Sequence, residues 1–252
     1  MSPHRAALDQ PPRYWLIVPA AGRGSRFGAS VPKQYSTLAG LTVIEHSLAP
    51  FVDDARCLGL GVALSEDDPH WPAVEARILP RLHARGAVFV RAPGGAERGD
   101  SVASVLAALS PRVAAQDWVM VHDAARPCVT RDEIDHLLEF ATADSPGALL
   151  AVPLADTLKR GKAGSDLVES TIPREDLWRA LTPQMFRHGA LQDALARARS
   201  QGRTPTDEAQ AMEWAGGAAA LVAGSQTNLK ITTAADLALA AAILQHRAGR
   251  AT

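Results

Sequence analysis

The stretch from Leu16 to Tyr35 reads LIVPAAGRGSRFGASVPKQY, and its residue types suit binding of an anion. The apolar run Trp15 to Val18 predicts a buried strand, and after Pro19 come three glycines, three cations and almost no bulk. Gly22, Gly24 and Gly28 let the backbone take φ > 0 and bring its N–H groups close to an anion, while Arg23, Arg26 and Lys33 supply charge. The spacing is G-x-G-x-x-x-G, not the G-x-G-x-x-G of a dinucleotide fingerprint, and the G-K-[ST] ending of a P-loop is missing. Three cations so close together suit a triphosphate, where charge must be neutralised at the reacting phosphorus and on the departing pyrophosphate. A solvated glycine-rich turn with surface arginines is the alternative, but such a turn has no reason to follow directly on a buried strand.

A second cluster, VHDAARP from Val121 to Pro127, follows another strand candidate. Asp123 at a strand end can hold Mg²⁺ through a hard oxygen, and Arg126 can fork onto a phosphate. The simpler reading makes Asp123 an N-cap and Arg126 its surface partner. His122 and Cys128 flank the cluster without a visible activating partner, so both are read as structural.

Elements that could position these residues alternate along the chain. Strands are predicted at Trp15 to Val18, Leu58 to Leu64, Ala87 to Arg91, Trp118 to His122 and Ala148 to Pro153. Helices are predicted over Thr42 to Phe51, Trp71 to His83, Asp100 to Leu109 and Arg131 to Ala141, each with apolar residues three or four apart. This pattern implies an α/β fold with a Rossmann-like, mostly parallel sheet flanked by helices, and ligands beyond the carboxyl ends of its strands.

After Pro153 the pattern breaks. Asp156 to Ile172 reads as two short strands around a Gly-Lys-Ala-Gly turn, with little to bury against the parent sheet. A projecting β-arm over about residues 154–176 is expected, and since an isolated hairpin is marginal in water, it should pack on a second copy of the chain to make a homodimer. Helices near Leu191 to Ser200 and Asp207 to Trp214, strands at Ala218 to Val222 and Asn228 to Thr232, and a helix from Ala234 complete the chain. Neither a repeat nor a linker divides it. One domain over residues 15–252 is preferred to two, after a disordered lead-in at residues 1–14.

With 26 basic and 27 acidic residues the net charge is −1, so no molecule-wide field draws the chain to nucleic acid or an anionic membrane. Any anion site must be local. The lead-in has no apolar run fit for a signal peptide or a membrane span. Cys57 and Cys128 are the only cysteines, too far apart for a disulfide framework or a zinc site, and a reducing, cytoplasmic setting is expected.

The runs PAAGRGSRFG, PKQY, GGAERGDSV, VHDAARP, DTLKR, LTPQMF, TDEA and NLKITT, in this order and spacing, closely resemble the 2-C-methyl-D-erythritol 4-phosphate cytidylyltransferase family over about Trp15 to Ala240. The resemblance implies transfer of CMP from CTP to methylerythritol phosphate, with release of pyrophosphate, in the non-mevalonate route to isoprenoid precursors. It implies CTP binding by Ala20, Ala21, Gly22, Gly24, Arg26, Lys33, Gly95, Ala96, Ser101 and Asp123, with Asp123 also the ligand of Mg²⁺. Arg26, Lys33 and Lys230 are implied as catalytic. For the sugar phosphate it implies Arg126, Thr182, Thr206 and Lys230 of one subunit, with Thr157 and Arg174 from the other subunit's arm. The family often has an acidic residue where Ala96 stands, which leaves only a backbone contact here. Thr227 precedes Asn228, so no second carboxylate for the metal is named.

The reaction expected is in-line attack by a substrate phosphate oxygen on the α-phosphorus. The attacking group is already anionic near neutral pH, so neither a covalent intermediate nor a general base is required. Two competing expectations are a cytidylyltransferase for another polyol phosphate, such as ribitol 5-phosphate, and a nucleotide-binding regulator that has lost catalysis. A fused downstream enzyme is not expected, because the family pattern consumes nearly the whole sequence.

Overall fold

β1 (Tyr14–Pro19) is buried on both faces, as expected of an inner strand of a sheet covered on both sides. The computed structural model describes residues 12–22 and 31–250. Gly24 and Arg26, with Arg23 and Gly28, lie outside the described residues, as does most of the lead-in.

Side chains of β1 alternate between two cores. Tyr14, Leu16 and Val18 face one, and Trp15 and Ile17 face the other. Full burial of each such aliphatic side chain contributes about 1.5–3 kcal/mol.

β1 is followed by a single 3₁₀ turn at Lys33–Tyr35, a short hairpin of β2 (Thr37–Leu38) and β3 (Leu41–Thr42), and α1 (Val43–Val52). Thr42 and Glu45 form a capping box at the start of α1. The chain continues through β4 (Cys57–Leu64), α2 (Trp71–His83), β5 (Val88–Pro93), α3 (Arg98–Leu109), β6 (Trp118–Val121), α4 (Arg131–Leu138) and β7 (Ala148–Pro153). Next come β8 (Leu158–Gly161), β9 (Val168–Ile172), β10 (Trp178–Arg187), α5 (His188–Ser200), α6 (Glu208–Trp214), β11 (Ala220–Ala223) and α7 (Ala234–Ala248).

Seven strands form one sheet in the order β11-β7-β10-β6-β1-β4-β5. β10 runs antiparallel to both of its neighbours, and every other pairing in the sheet is parallel. The fold is thus α/β with a mostly parallel, Rossmann-like sheet between two helical layers.

Two expectations need correction. β10 was not foreseen, and the run Asn228 to Thr232 is not a strand. That run instead packs across the loop after β6, where the Ile231 amide donates to the Ala125 carbonyl at 2.8 Å. The Asn228 amide donates to Ser225 O at 3.0 Å and its carbonyl accepts from Arg126 Nη1 at 2.9 Å, so neither backbone group is left to serve a ladder.

β8 and β9 pair only with each other, making a separate two-stranded sheet. They are inserted between β7 and β10, and the Leu154 amide closes the base of this arm on the Leu177 carbonyl at 3.0 Å. Leu167 and Val168 are 67% and 61% exposed, an arrangement that leaves apolar surface uncovered at the arm. Among the described residues no helix is long and apolar enough to cross a membrane.

Candidate active site

The segments that follow β1, β5 and β6 at their carboxyl ends line a cavity of about 520 Å³. Ala20, Ala21, Gly22, Lys33, Gly95, Ala96, Ser101, Asp123 and Lys230 all line it. Residues far apart in sequence therefore share one space, as the strand-end position requires.

The floor is held by backbone contacts. The Ala20 amide donates to Ala63 O at 2.9 Å, which carries the chain one residue beyond β1 alongside β4. Buried Gln34 donates through Nε2 to the carbonyls of Ala20, at 2.9 Å, and Gly22, at 3.1 Å. This side chain closes the described ends of the glycine loop and fixes the turn that carries Lys33. Ser65 Oγ donates to Ala21 O at 3.1 Å from the end of β4.

The opposite wall is the segment entering α3. A Cβ built on Gly94 would stand 2.1 Å from that of Ala21, so glycine is needed where these two loops meet. Ser101 Oγ accepts from the Gly95 amide at 3.0 Å and donates to Glu97 O at 3.3 Å, shaping the turn that contains Ala96. α3 reaches this position by lying close on β4, where a Cβ at Gly61 would come within 2.3 Å of Val105 Cγ1.

Asp123 sits just past β6, almost fully buried, with cations on both carboxylate oxygens. Arg98 Nε donates to Oδ1 at 3.1 Å, Arg126 Nε donates to Oδ2 at 3.2 Å, and Lys230 Nζ lies 3.0 Å from Oδ2. Burial alone would raise this carboxyl, but the charges of Arg98, Lys230 and Arg126 outweigh it and hold Asp123 well below the usual range. It is a permanent anion near neutral pH.

The loop from His122 to Arg126 is set by β10. Register places Gln184 opposite Val121, and so Thr182 lands beside Asp123. The Asp123 amide donates to Thr182 Oγ1 at 3.0 Å, which leaves the hydroxyl proton for His122 Nδ1 at 3.0 Å. His122 then donates through Nε2 to Arg126 O at 3.3 Å. Burial pushes the imidazole down to about 4, so it is neutral and acts as a spacer. Burial likewise pushes the Cys128 thiol up to about 11, away from nucleophilic character.

Arg126 is buried between Asp123 and the Asn228 carbonyl, to which Nη1 donates at 2.9 Å. Thr206 is exposed, and its amide donates to Gln210 Oε1 at 2.8 Å. Asp207, whose Oδ1 accepts from the Gln210 amide at 2.9 Å, is the N-cap of α6 in place of Thr206. Thr157 and Arg174 are exposed on the arm and do not line the cavity. The Arg174 guanidinium donates to the nearby Ala155 carbonyl.

Four residues of the site region went unassigned in the sequence. Gln34, Arg98 and Glu208 each stand inside a run with recognisable spacing, PKQY, GGAERGDSV and TDEA, but the groups they contact lie outside those runs, so no spacing shows what they do. Asn228 opens the run NLKITT, but the partners of its side chain, Glu133 and Thr182, are distant in sequence.

Two carboxylates of the described residues line the cavity, exposed Glu97 at its rim and buried Asp123 in its wall. No group of three His, Cys, Asp or Glu suited to a metal occurs among the described residues. That donor set fits Mg²⁺ held by Asp123 and completed by phosphate oxygens and water, since Mg²⁺ commonly takes only one or two protein carboxylates.

A family model described as 2-C-methyl-D-erythritol 4-phosphate cytidylyltransferase matches residues 14–246. The enzyme of that name from Pseudomonas paraeruginosa is 52% identical over 227 residues, which are 90% of this chain and 94% of the relative. A crystal structure of a 4-diphosphocytidyl-2C-methyl-D-erythritol synthase superposes with a TM-score of 0.78 at 33% identity, covering 92% of this chain and 99% of that one. The Francisella tularensis 2-C-methyl-D-erythritol 4-phosphate cytidylyltransferase superposes with a TM-score of 0.73 at 32% identity, over 92% and 99% of the two chains. The chain belongs to the 2-C-methyl-D-erythritol 4-phosphate cytidylyltransferase family.

Proposed function

We propose that this chain transfers CMP from CTP to 2-C-methyl-D-erythritol 4-phosphate, giving 4-diphosphocytidyl-2-C-methyl-D-erythritol and pyrophosphate. The observation that carries the reading is the meeting of Asp123, Arg126 and Lys230 in one charge cluster, of which Asp123 and Lys230 line a cavity shared with Lys33 and the start of the loop after β1. An oxygen of the sugar phosphate attacks the α-phosphorus of CTP, and the bond from that phosphorus to the β-phosphate bridging oxygen breaks in line.

Bringing two polyanions together is the main obstacle, and preorganised cations remove it. Lys33 and Arg26 take the triphosphate and its developing charge. Lys230 reaches the α-phosphate from the opposite side. Cytosine rests against backbone groups at Ala20, Gly95 and Ala96 with Ser101 behind them, alongside Ala21, Gly22 and Gly24. Asp123 holds Mg²⁺, which neutralises phosphate charge when bound.

Arg126, Thr182, Thr206 and Lys230 receive the sugar phosphate. Thr157 and Arg174 are supplied by the arm of a second copy, which makes the functional unit a homodimer in the cytoplasm. The uncovered apolar surface of the arm supports this reading.

Pyrophosphate release tests the assignment, with CTP, MgCl₂ and methylerythritol phosphate as substrates and ATP or ribitol 5-phosphate as controls. Release that depends on CTP and methylerythritol phosphate is expected. Equal release with ATP, or faster release with ribitol 5-phosphate, would overturn it, and no release at all would favour a regulator.

A further inference from the structure

Arg98 opens α3 at the edge of the cavity, yet its guanidinium is turned inward between two carboxylates from other elements. Nε donates to Asp123 Oδ1 at 3.1 Å, and Nη1 donates to Glu208 Oε1 in the first turn of α6. Glu208 is 1% exposed. Among the described residues Nη2 of Arg98 and Oε2 of Glu208 are buried without a hydrogen-bond partner, so the bond between Nη1 and Oε1 is what pairs the two charges.

The two oxygens of Asp123 are unequally shared. Among the charged side chains of the described residues Arg98 alone is paired with Oδ1, whereas Arg126 and Lys230 both sit on Oδ2. Lys230 is 40% exposed and stands on an irregular run, so it can leave Asp123 for a phosphate. Arg98 cannot follow without leaving Glu208 unpaired in the interior.

We propose that Arg98, braced by Glu208, is a positioning residue that pins Oδ1 of Asp123 and so leaves Oδ2 as the working oxygen. This rests on the reading of Asp123 and Lys230 as site residues. With Arg98 in place, Lys230 and Arg126 share one carboxylate oxygen and are readily ceded to incoming phosphates. Without it, the carboxylate turns both oxygens toward these two cations and holds them back. Arg98 lines the cavity wall, and its effect on turnover is exerted through Asp123.

A double-mutant cycle on turnover isolates that dependence. Asp123→Asn, Arg98→Met and the double variant are compared for kcat and for the CTP KM, with folding checked by thermal melting. Arg98→Met is expected to lose roughly 10- to 100-fold in kcat, as supporting partners of a site residue do. In the Asp123→Asn background the same change should alter kcat by no more than about threefold. Multiplicative losses would overturn the proposal, as would near-wild-type kcat in Arg98→Met. Wild-type kcat in Asp123→Asn would instead overturn the underlying site reading. If Arg98→Met does not fold, Glu208→Gln and Arg98→Lys enter the same cycle and the same criterion decides.

Discussion

Lys230 Nζ lies 3.0 Å from Oδ2 of Asp123, joining an irregular run near the end of the chain to the loop after β6. The lysine is 40% exposed, so the pair adds at most about 1 kcal/mol to stability. Its significance is that a mobile cation is held beside the cavity and can be transferred to phosphate. Lys230→Ala and Lys33→Ala should each fold normally and lose about 10² to 10³ in turnover, the usual loss for one preorganised charge contact. Near-wild-type pyrophosphate release in either variant would refute its role.

The neutral state of His122 predicts a pH-dependent stability. Its folded pKa of about 4 lies below the unfolded value of 6.5, so the unfolded chain binds the proton more readily. The stabilisation is complete above the unfolded pKa and is lost as pH falls through the interval down to the folded one. By pH 4 the loss amounts to about 3 kcal/mol. Urea unfolding of wild type and His122→Asn should therefore converge by that amount between neutral pH and about pH 4. A difference that stays constant with pH would contradict the neutral assignment.

Gln34 is a buried side chain whose amide serves the carbonyls of both Ala20 and Gly22. Gln34→Leu keeps most of its volume and removes both bonds, leaving two acceptors in need of partners. Unfolding free energy should fall by about 1–3 kcal/mol. If Ala20 receives the cytosine, the CTP KM should rise more than kcat falls. A normal KM together with reduced stability would limit Gln34 to a structural role.

Arg174 is on the exposed arm and away from the cavity of its own chain. If it completes the site of a second copy, Arg174→Ala and Lys230→Ala are each defective in a different half of a composite site. Mixed and reassembled, a random population of dimers should recover about a quarter of wild-type activity, because half are mixed and each mixed dimer has one intact site. Activity no greater than that of the separate variants would exclude sharing of the arm.

The sheet, its helical layers and the strand-end position of the glycine loop were legible in the sequence, because apolar period and turn chemistry are short-range signals. Trp15 with Ile17 and Tyr14 with Val18 alternate as their local pattern demands. β10 has no local signature, for a physical reason. Its run WRALTPQMFR begins exposed, includes a proline and carries two buried polar side chains, Thr182 and Gln184, in its middle. It becomes a strand because β6 and β7 supply partners on both sides.

By itself, then, the sequence determined the layered α/β architecture and the placement of Asp123 at the end of β6, since each depends on neighbours within a few residues. Only the tertiary structure decided how Asp123 is used. Its two oxygens are apportioned among Arg98, Arg126 and Lys230, and its backbone is tethered by Thr182 on the antiparallel strand. Those partners converge through strand register and helix packing, which act across long sequence separations, and no local pattern specifies which buried charge meets which.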